Sequence, residues 1–252
     1  MDYEQIKQAA AILDHSRNVV ALTGAGIGRP SGIPDFRSDD GLWSKDNPME
    51  VASITTLQNQ PQRFFDWLRP LLDVMLAAQP NPAHTALVQL EQAGILQAIV
   101  TQNIDSLHQR AGSQTVYELH GHGRTATCMH CQRQLNTEPQ VVEQVLQGKI
   151  PHCDCGQAGM LKPDIVLFGE MLPQDTFASA VSAIEMCDTL LVVGTSLEVH
   201  PAASLPLAAL QHRASVIIIN LDSTYIDGYA DVVLHEDMAV VMPAIIAAMS
   251  RY

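Results

Sequence analysis

One histidine of the ten in this 252-residue chain, His120, stands in Glu118-Leu119-His120-Gly121, just ahead of a run of cysteines. An imidazole titrates near neutrality, so it is the side chain best suited to accept a proton under ordinary conditions. A lone histidine is more often structural, and its neighbours must decide. Upstream lies a polar cluster, Thr101-Gln102-Asn103-Ile104-Asp105-Ser106-Leu107-His108, directly after the apolar run Ile95–Thr101. Gln102, Asn103 and Asp105 carry donors and acceptors that suit a ribose and a carboxamide. In open α/β sheets, ligands bind beyond the carboxyl ends of strands, where such a cluster would fall.

A second apolar run, Asn18–Thr23, ends in Gly24-Ala25-Gly26-Ile27-Gly28. Glycines there let the backbone approach a pyrophosphate and donate N–H groups to it. The dinucleotide fingerprint G-x-G-x-x-G is broken, because Arg29 stands where the third glycine belongs, and Pro30 and Pro34 follow. The chain is therefore expected to leave as a loop and not as a regular helix. A purely structural turn is the plain alternative. Next comes Ser31-Gly32-Ile33-Pro34-Asp35-Phe36-Arg37, a proline-stiffened loop suited to closing over a cofactor. Its alternative is a surface loop with one ion pair.

Four of the five cysteines form two close pairs, Cys128-x-x-Cys131 and Cys153-x-Cys155. The N-terminus has no basic segment followed by an apolar one, so no secretory signal is expected, and the cytoplasm is the expected compartment. Metal ligation there is favoured over disulfides. Four thiolates suit a tetrahedral zinc, with His130 and His152 as substitute ligands. With no acidic partner and no open position evident, the zinc should be structural. Cys187 stands apart and reads as core.

These residues need elements to hold them. With 47% hydrophobic and 16% charged residues, the chain can bury one large core plus an appendage. A net charge of −13 disfavours duplex DNA, whose binding relies on Lys and Arg. It favours a basic peptide, although solubility alone would also explain it. No apolar run approaches a membrane span. Helices are expected near 4–16, 60–79, 82–93, 138–147, 174–187, 201–212 and 237–249. Strands are expected at 18–23, 95–101, 165–168, 189–193, 216–220 and 231–234. Strands alternating with helices imply a parallel sheet covered on both faces. The expected fold is α/β, a Rossmann-like parallel sheet with helices on both faces plus a small inserted zinc-binding module. Residues 1–120 and 163–252 form the Rossmann-like domain, with a helical insertion at about 38–80, and 121–162 the module. The chain is taken as a monomer.

The motifs Gly24-Ala25-Gly26-Ile27, Ser31–Arg37, Thr101–His108 and Glu118–Gly121 resemble those of the sirtuins, in sirtuin order. So do Lys162-Pro163-Asp164-Ile165-Val166-Leu167-Phe168-Gly169-Glu170 and Gly194-Thr195-Ser196-Leu197-Glu198-Val199. The likeness runs from about residue 18 to 240 and is nearest to bacterial deacetylase members. It implies an NAD-dependent removal of acyl groups from protein lysine, with His120 as general base and Asn103 beside it in catalysis. It implies an NAD site of Gly24, Ala25, Gly26, Asp35, Phe36, Arg37, Gln102, Asn103, Ile104 and Asp105. The adenosine half would meet Gly194, Thr195, Ser196, Asn220, Leu221 and Met238. Val166 and Phe168 would line the acyl-lysine tunnel, with plain strand core as the alternative. The peptide would add as a strand between Gly169-Glu170 and Leu197-Glu198-Val199. The metal ligands would be Cys128, Cys131, Cys153 and Cys155.

By the same resemblance the acyl oxygen attacks the anomeric carbon as nicotinamide leaves, with Phe36 shielding it from water. His120 then takes a ribose hydroxyl proton, giving free lysine and an acyl-ADP-ribose. Leu68 and Leu71 occupy positions where desuccinylating members carry a Tyr and an Arg, so a neutral acyl group, acetyl first, is expected; Arg69 is the caution. Three departures stand out: Gly28 for the usual Ser, Arg29 for a small residue, and Cys-x-Cys for Cys-x-x-Cys. Three rival functions share some of these residues. They are a protein ADP-ribosyltransferase using the same NAD site, a nicotinamide-dependent oxidoreductase, and a non-catalytic zinc-bearing interaction module.

Overall fold

The computed structural model describes residues 1–35, 47–155 and 159–250. The chain opens with helix α1 (Tyr3–His15), whose first turn is capped by the Asp2 carboxylate accepting from Glu4 N and Gln5 N. It enters strand β1 (Val19–Thr23), with all five residues buried. Short helices α2 (Pro48–Val51) and α3 (Ile54–Asn59) lead to α4 (Pro61–Ala77), which starts on a proline where the missing N–H costs nothing. Helix α5 (Pro82–Gln92) precedes β2 (Leu96–Thr101), and the one-turn α6 (Leu107–Ala111) precedes β3 (Val116–Glu118).

Then come β4 (Gly121–Cys128), β5 (Gln134–Asn136), α7 (Gln140–Leu146) and β6 (Leu161–Ile165). The chain returns through α8 (Gln174–Met186), β7 (Thr189–Val193), α9 (Leu205–Gln211), β8 (Ser215–Ile219), β9 (Val232–Leu234) and α10 (Met238–Ala248).

Six strands form one parallel sheet in the order β3-β2-β1-β7-β8-β9. The order reverses between β1 and β7, which opens a crevice at their carboxyl ends, the usual ligand site of a doubly wound sheet. Two apolar layers cover the faces. One joins α1, α5 and α10, through residues such as Leu13, Leu87 and Val241, to Ala21, Ile99 and Ile217. The other sets Ile184 and Ala209 against Leu22, Val192 and Ile218. Burial on both faces is why these strands read as unbroken apolar runs. The helical segment between β1 and β2 packs its own small core of Leu57, Phe64, Phe65, Leu68 and Leu71 against Ile165 and Leu167.

One strand differs from expectation. Residues 165–168 do not form a strand of the main sheet. Strand β6 ends at Ile165 and pairs antiparallel with β4 in a separate three-stranded sheet, β5-β4-β6. Its pleat buries Leu161, Pro163 and Ile165 and leaves Lys162 and Asp164 half-buried, a period-2 pattern that Lys-Pro-Asp disguises. Asp164 accepts from Thr125, Thr127 and Gln134 across that sheet. Beyond it the chain is irregular, held by Val166 N donating to His120 O at 2.8 Å and Phe168 N donating to Ala52 O at 2.9 Å.

The glycine turn after β1 is a 3₁₀ helix (Ala25–Ser31), so the chain leaves in neither loop nor α-helix. Gly26 N donates to Gly194 O at 2.8 Å. A Cβ on Gly26 would sit 2.8 Å from that oxygen, and Gly194 itself has φ +63. Glycine is thus required where the turns after β1 and β7 touch. Gly26→Ala is expected to lower unfolding stability by about 1–3 kcal/mol through overpacking. Gly123→Ala, where an added Cβ meets nothing within 4 Å, should stay within about 0.5 kcal/mol. Urea denaturation of both variants checks the contrast.

Candidate active site

Parallel strands place their carboxyl ends on one side, so the polar residues after β1, β2 and β7 converge. Three hydrogen bonds tie these ends together. Gln102 N donates to Thr23 O at 3.0 Å, Asn103 Nδ2 to Gly24 O at 3.0 Å, and Gln102 Nε2 to Thr195 Oγ1 at 2.9 Å. Asn103 also donates its backbone N–H to Thr101 Oγ1 at 3.1 Å, and Asp105 Oδ1 accepts from Leu107 N at 2.8 Å. Burial, the largest cause, holds the Asp105 carboxyl above its ordinary range.

His120 follows β3 and borders the same space. Its Nδ1 lies 2.8 Å from Gln102 O. A carbonyl only accepts, so Nδ1 carries the proton and Nε2 keeps its lone pair. Among the described residues Nε2 has no hydrogen-bond partner. Burial pushes the imidazole pKa below its ordinary 6.5, and the Gln102 bond opposes this only in part. The ring is therefore neutral at pH 7, with a free basic nitrogen.

The cavity beside His120 has a volume of about 360 Å³. Gln102, Asn103, Ile104, Asp105, Val166, Phe168, Gly169, Glu170 and Val199 all border it, together with Ala25. Val166 and Phe168 are thus cavity wall and not buried strand core. Leu197 differs: its side chain is buried in the layer with Ala202 and Ala203, so only its main chain can serve a ligand.

Leu71 borders the cavity as expected, whereas Leu68 packs into the core of the helical segment. Sequence reasoning missed Trp67 and Met75, which line the wall from α4 together with Leu71. Their i, i+4, i+8 spacing puts them on one helical stripe, a signal available in the sequence. Among the described lining residues there is no Lys or Arg. Arg69 pairs with Asp66 at 3.4 Å and does not border the cavity.

The second group lies at the carboxyl ends of β1, β7 and β8. Gly26 N is bonded to Gly194 O, a Cβ on Gly24 would meet Thr195 Cβ at 2.7 Å, and one on Gly194 would meet Met238 Sδ at 2.9 Å. Asn220 follows β8 and accepts at its carbonyl from His235 Nδ1 at 2.9 Å. Ser196 is half-buried, and Leu221 is exposed. Arg29 pairs with Asp35 at 3.2 Å, so it is not merely solvated. Position 28 has room for a side chain: a Cβ there would stand 3.6 Å from Asp105 Oδ2. Phe36 and Arg37 lie outside the described residues.

The cysteines of the small module converge. The Sγ atoms of Cys128, Cys131, Cys153 and Cys155 all lie within 4.8 Å of one another, with Cys128–Cys155 at 4.0 Å and Cys131–Cys153 at 3.8 Å. A sulfur tetrahedron around zinc at ~2.3 Å has edges of about 3.8 Å, so the donor set fits that metal, and the short Cys-x-Cys half-site reaches the geometry. Arg133 donates to Cys153 Sγ at 3.2 Å and offsets thiolate charge. His152 Nδ1 is instead engaged with Ile150 O at 2.8 Å. Cys187 is buried beyond α8, and burial pushes its thiol up to about 12, as for an inert core cysteine.

The description "Sir2 family" matches residues 24–201 of the chain. NAD-dependent protein deacylase 2 of Archaeoglobus fulgidus is 44% identical over 249 residues, covering 98% of this chain and 97% of that one. NAD-dependent protein deacetylase 1 of Geobacillus kaustophilus is 44% identical over 222 residues, 88% of each. A solved structure from work on the mechanism and regulation of Sir2 enzymes superimposes with a TM-score of 0.91 at 44% identity, covering 98% of both chains.

Metal analysis of the purified protein should find about one zinc per chain. Cys128→Ser should lose it together with cooperative unfolding, because a structural zinc contributes folding energy directly. Full stability of a zinc-free protein would contradict this.

Proposed function

The chain belongs to the Sir2 family, and from that premise we propose that His120 is the general base of its reaction. The protein is an NAD-dependent protein-lysine deacylase. It removes neutral acyl groups, acetyl foremost, and releases nicotinamide and an O-acyl-ADP-ribose. The observation that carries the role of His120 is its ring orientation: Nδ1–H is committed to Gln102 O, and Nε2, without a partner among the described residues, belongs to a ring on the cavity wall.

NAD when bound supplies the anomeric carbon that the acyl oxygen attacks and the ribose hydroxyl that carries the acyl group away. His120 Nε2 takes the hydroxyl proton as that oxygen attacks the acyl carbon; the amine then leaves as free lysine, and one water adds to complete the O-acyl-ADP-ribose. A positioned base of this kind contributes typically ~10²–10⁴-fold. Asn103, with its amide donating to Gly24 O, keeps its amide oxygen for the ribose and shares the catalytic role. Gln102 acts through its carbonyl, which holds His120, while its side chain braces Thr195. Asp105 and Ile104 complete the nicotinamide-ribose side. Ala25, Gly26 and Asp35, with Phe36 and Arg37, hold the phosphate and ribose region. Gly194, Thr195, Ser196, Asn220, Leu221 and Met238 receive the adenosine half.

The acyl-lysine chain enters between Val166 and Phe168, and its peptide adds between Gly169-Glu170 and the main chain of 197–199. Trp67, Leu71 and Met75 support a neutral acyl group, since none of them can compensate a buried carboxylate. The four cysteines hold a structural zinc. Their clustered thiols support a reducing compartment, the cytoplasm. A net charge of −13 supports acylated proteins and not nucleic acid as partners. The chain is proposed to act as a monomer. Among the described residues no helix is long and apolar enough to cross a membrane.

Mass spectrometry of acetylated and succinylated peptides incubated with the protein should show deacetylation only with NAD, and succinyl turnover at least a hundredfold slower. ADP-ribose transfer to protein without deacylated peptide would reverse the reading. His120→Ala should lose at least a hundredfold in kcat while calorimetry shows NAD bound within threefold of wild type. Because the imidazole is held below 6.5 by burial, the base form persists into mildly acidic solution. The acidic limb of kcat/KM against pH should therefore have its midpoint below 6.5, and a midpoint above that value would count against His120.

A further inference from the structure

Two buried histidines lie behind the cavity with no part in the reaction as described. His84 on α5 and His108 on α6 are 0% and 1% exposed, with ring centroids 4.9 Å apart. Burial pushes their pKa values down to about 4 and about 3, so both rings are neutral. A neutral ring has one N–H and one lone pair, and the surrounding bonds assign them. Asn81 N donates to His84 Nδ1 at 3.3 Å, which leaves the proton on Nε2. The Thr23 hydroxyl donates to Thr101 Oγ1 at 2.8 Å, so its oxygen accepts from His108 Nε2 at 2.9 Å. The lone pair of His108 is then on Nδ1.

His84 Nε2 and His108 Nδ1 are both buried without a partner among the described residues. One is a donor lacking an acceptor and the other an acceptor lacking a donor. They are not bonded to each other directly, but one offers what the other lacks, and a single water between them would satisfy both.

The two ends of this file of groups meet the reaction machinery. Thr101 Oγ1 also accepts the backbone N–H of Asn103 at 3.1 Å. At the other end, Asn81 Nδ2 donates to Ile27 O at 2.7 Å and to Ser31 Oγ at 2.9 Å, both in the turn that follows Gly24. Thr23, Thr101 and Asn103 are themselves 0%, 2% and 8% exposed, so water does not substitute freely for any member.

We propose that His108, Thr23 and Thr101 form a buried positioning relay that sets the Asn103 backbone, and hence its carboxamide, and couples it through His84 and Asn81 to the cofactor turn. None of the three touches substrate. The proposal rests on the reading of residues 24–26 and 102–105 as the NAD site. It separates from plain core packing by one atom: valine keeps the shape of threonine but lacks the hydroxyl.

The test compares Thr23→Val and Thr101→Val with Thr23→Ser and Thr101→Ser. Two readouts are used: steady-state kinetics with acetylated peptide and NAD, and hydrogen exchange of the Asn103 amide in the ligand-free protein. The valine variants should exchange the Asn103 amide at least tenfold faster. They should lose at least tenfold in kcat with peptide KM changed less than threefold. The serine variants should return both readouts to within threefold of wild type. Valine variants with unchanged Asn103 exchange, or serine variants as impaired as valine ones, would overturn the relay. A wild-type protein that does not deacylate would overturn the functional reading instead, while the exchange measurement would still decide the relay.

Discussion

The bond from His120 Nδ1 to the carbonyl of Gln102 is the constraint on which the chemistry depends. It is 2.8 Å long, and because a carbonyl only accepts, it fixes which ring nitrogen is bare. Burial keeps the ring uncharged, so the bare nitrogen is a base and not an acid. The other neutral tautomer would fill the same space but would present an N–H to the reacting hydroxyl. In the proposed mechanism the difference between an active and an inactive site therefore lies in one main-chain oxygen, and the position of that oxygen is set by β2.

The sheet explains why that oxygen is where it is. Gln102 is the first residue beyond β2, and its N–H is held by Thr23 O at the end of β1. Its side chain reaches Thr195, beyond β7. Each such bond contributes only about 1 kcal/mol net, but together they join three adjacent strand ends into one rigid rim. The rim lies at the reversal of strand order, where a parallel sheet leaves a crevice. Gly26 against Gly194 closes the same rim at main-chain distance. The three-stranded module meets it through Val166 N on His120 O, so the metal-bearing part of the chain also holds the proposed base.

Much of this was legible in the sequence where burial is complete. The strands β1, β2, β7 and β8 are covered on both faces and read as apolar runs, and the polar residues just after them read as a site. The module's edge was harder. Leu161, Pro163 and Ile165 alternate with Lys162 and Asp164, but a three-stranded sheet with one wet face gives a weak signal, and the apolar residues 165–168 suggested a strand instead. β3 and α6 are too short for periodicity to register. The four cysteines were plain from spacing alone. The role of Gln102 was not, because its decisive atom is a carbonyl that every residue possesses. The partnership of His84 with His108 joins helices far apart in sequence and leaves no pattern in either. Trp67, Leu71 and Met75 did carry a helical stripe, yet a stripe on α4 could equally have faced the core, as Phe64 and Leu68 do.

Detection of imidazole nitrogens by long-range ¹⁵N–¹H correlation NMR tests the central claim most directly. The ligand-free protein at pH 7 should show His120 as the neutral Nδ1–H tautomer, with Nε2 unprotonated. A His120 ring protonated on Nε2, alone or together with Nδ1, would contradict the account, because the nitrogen facing the cavity would then have no lone pair with which to accept the proton.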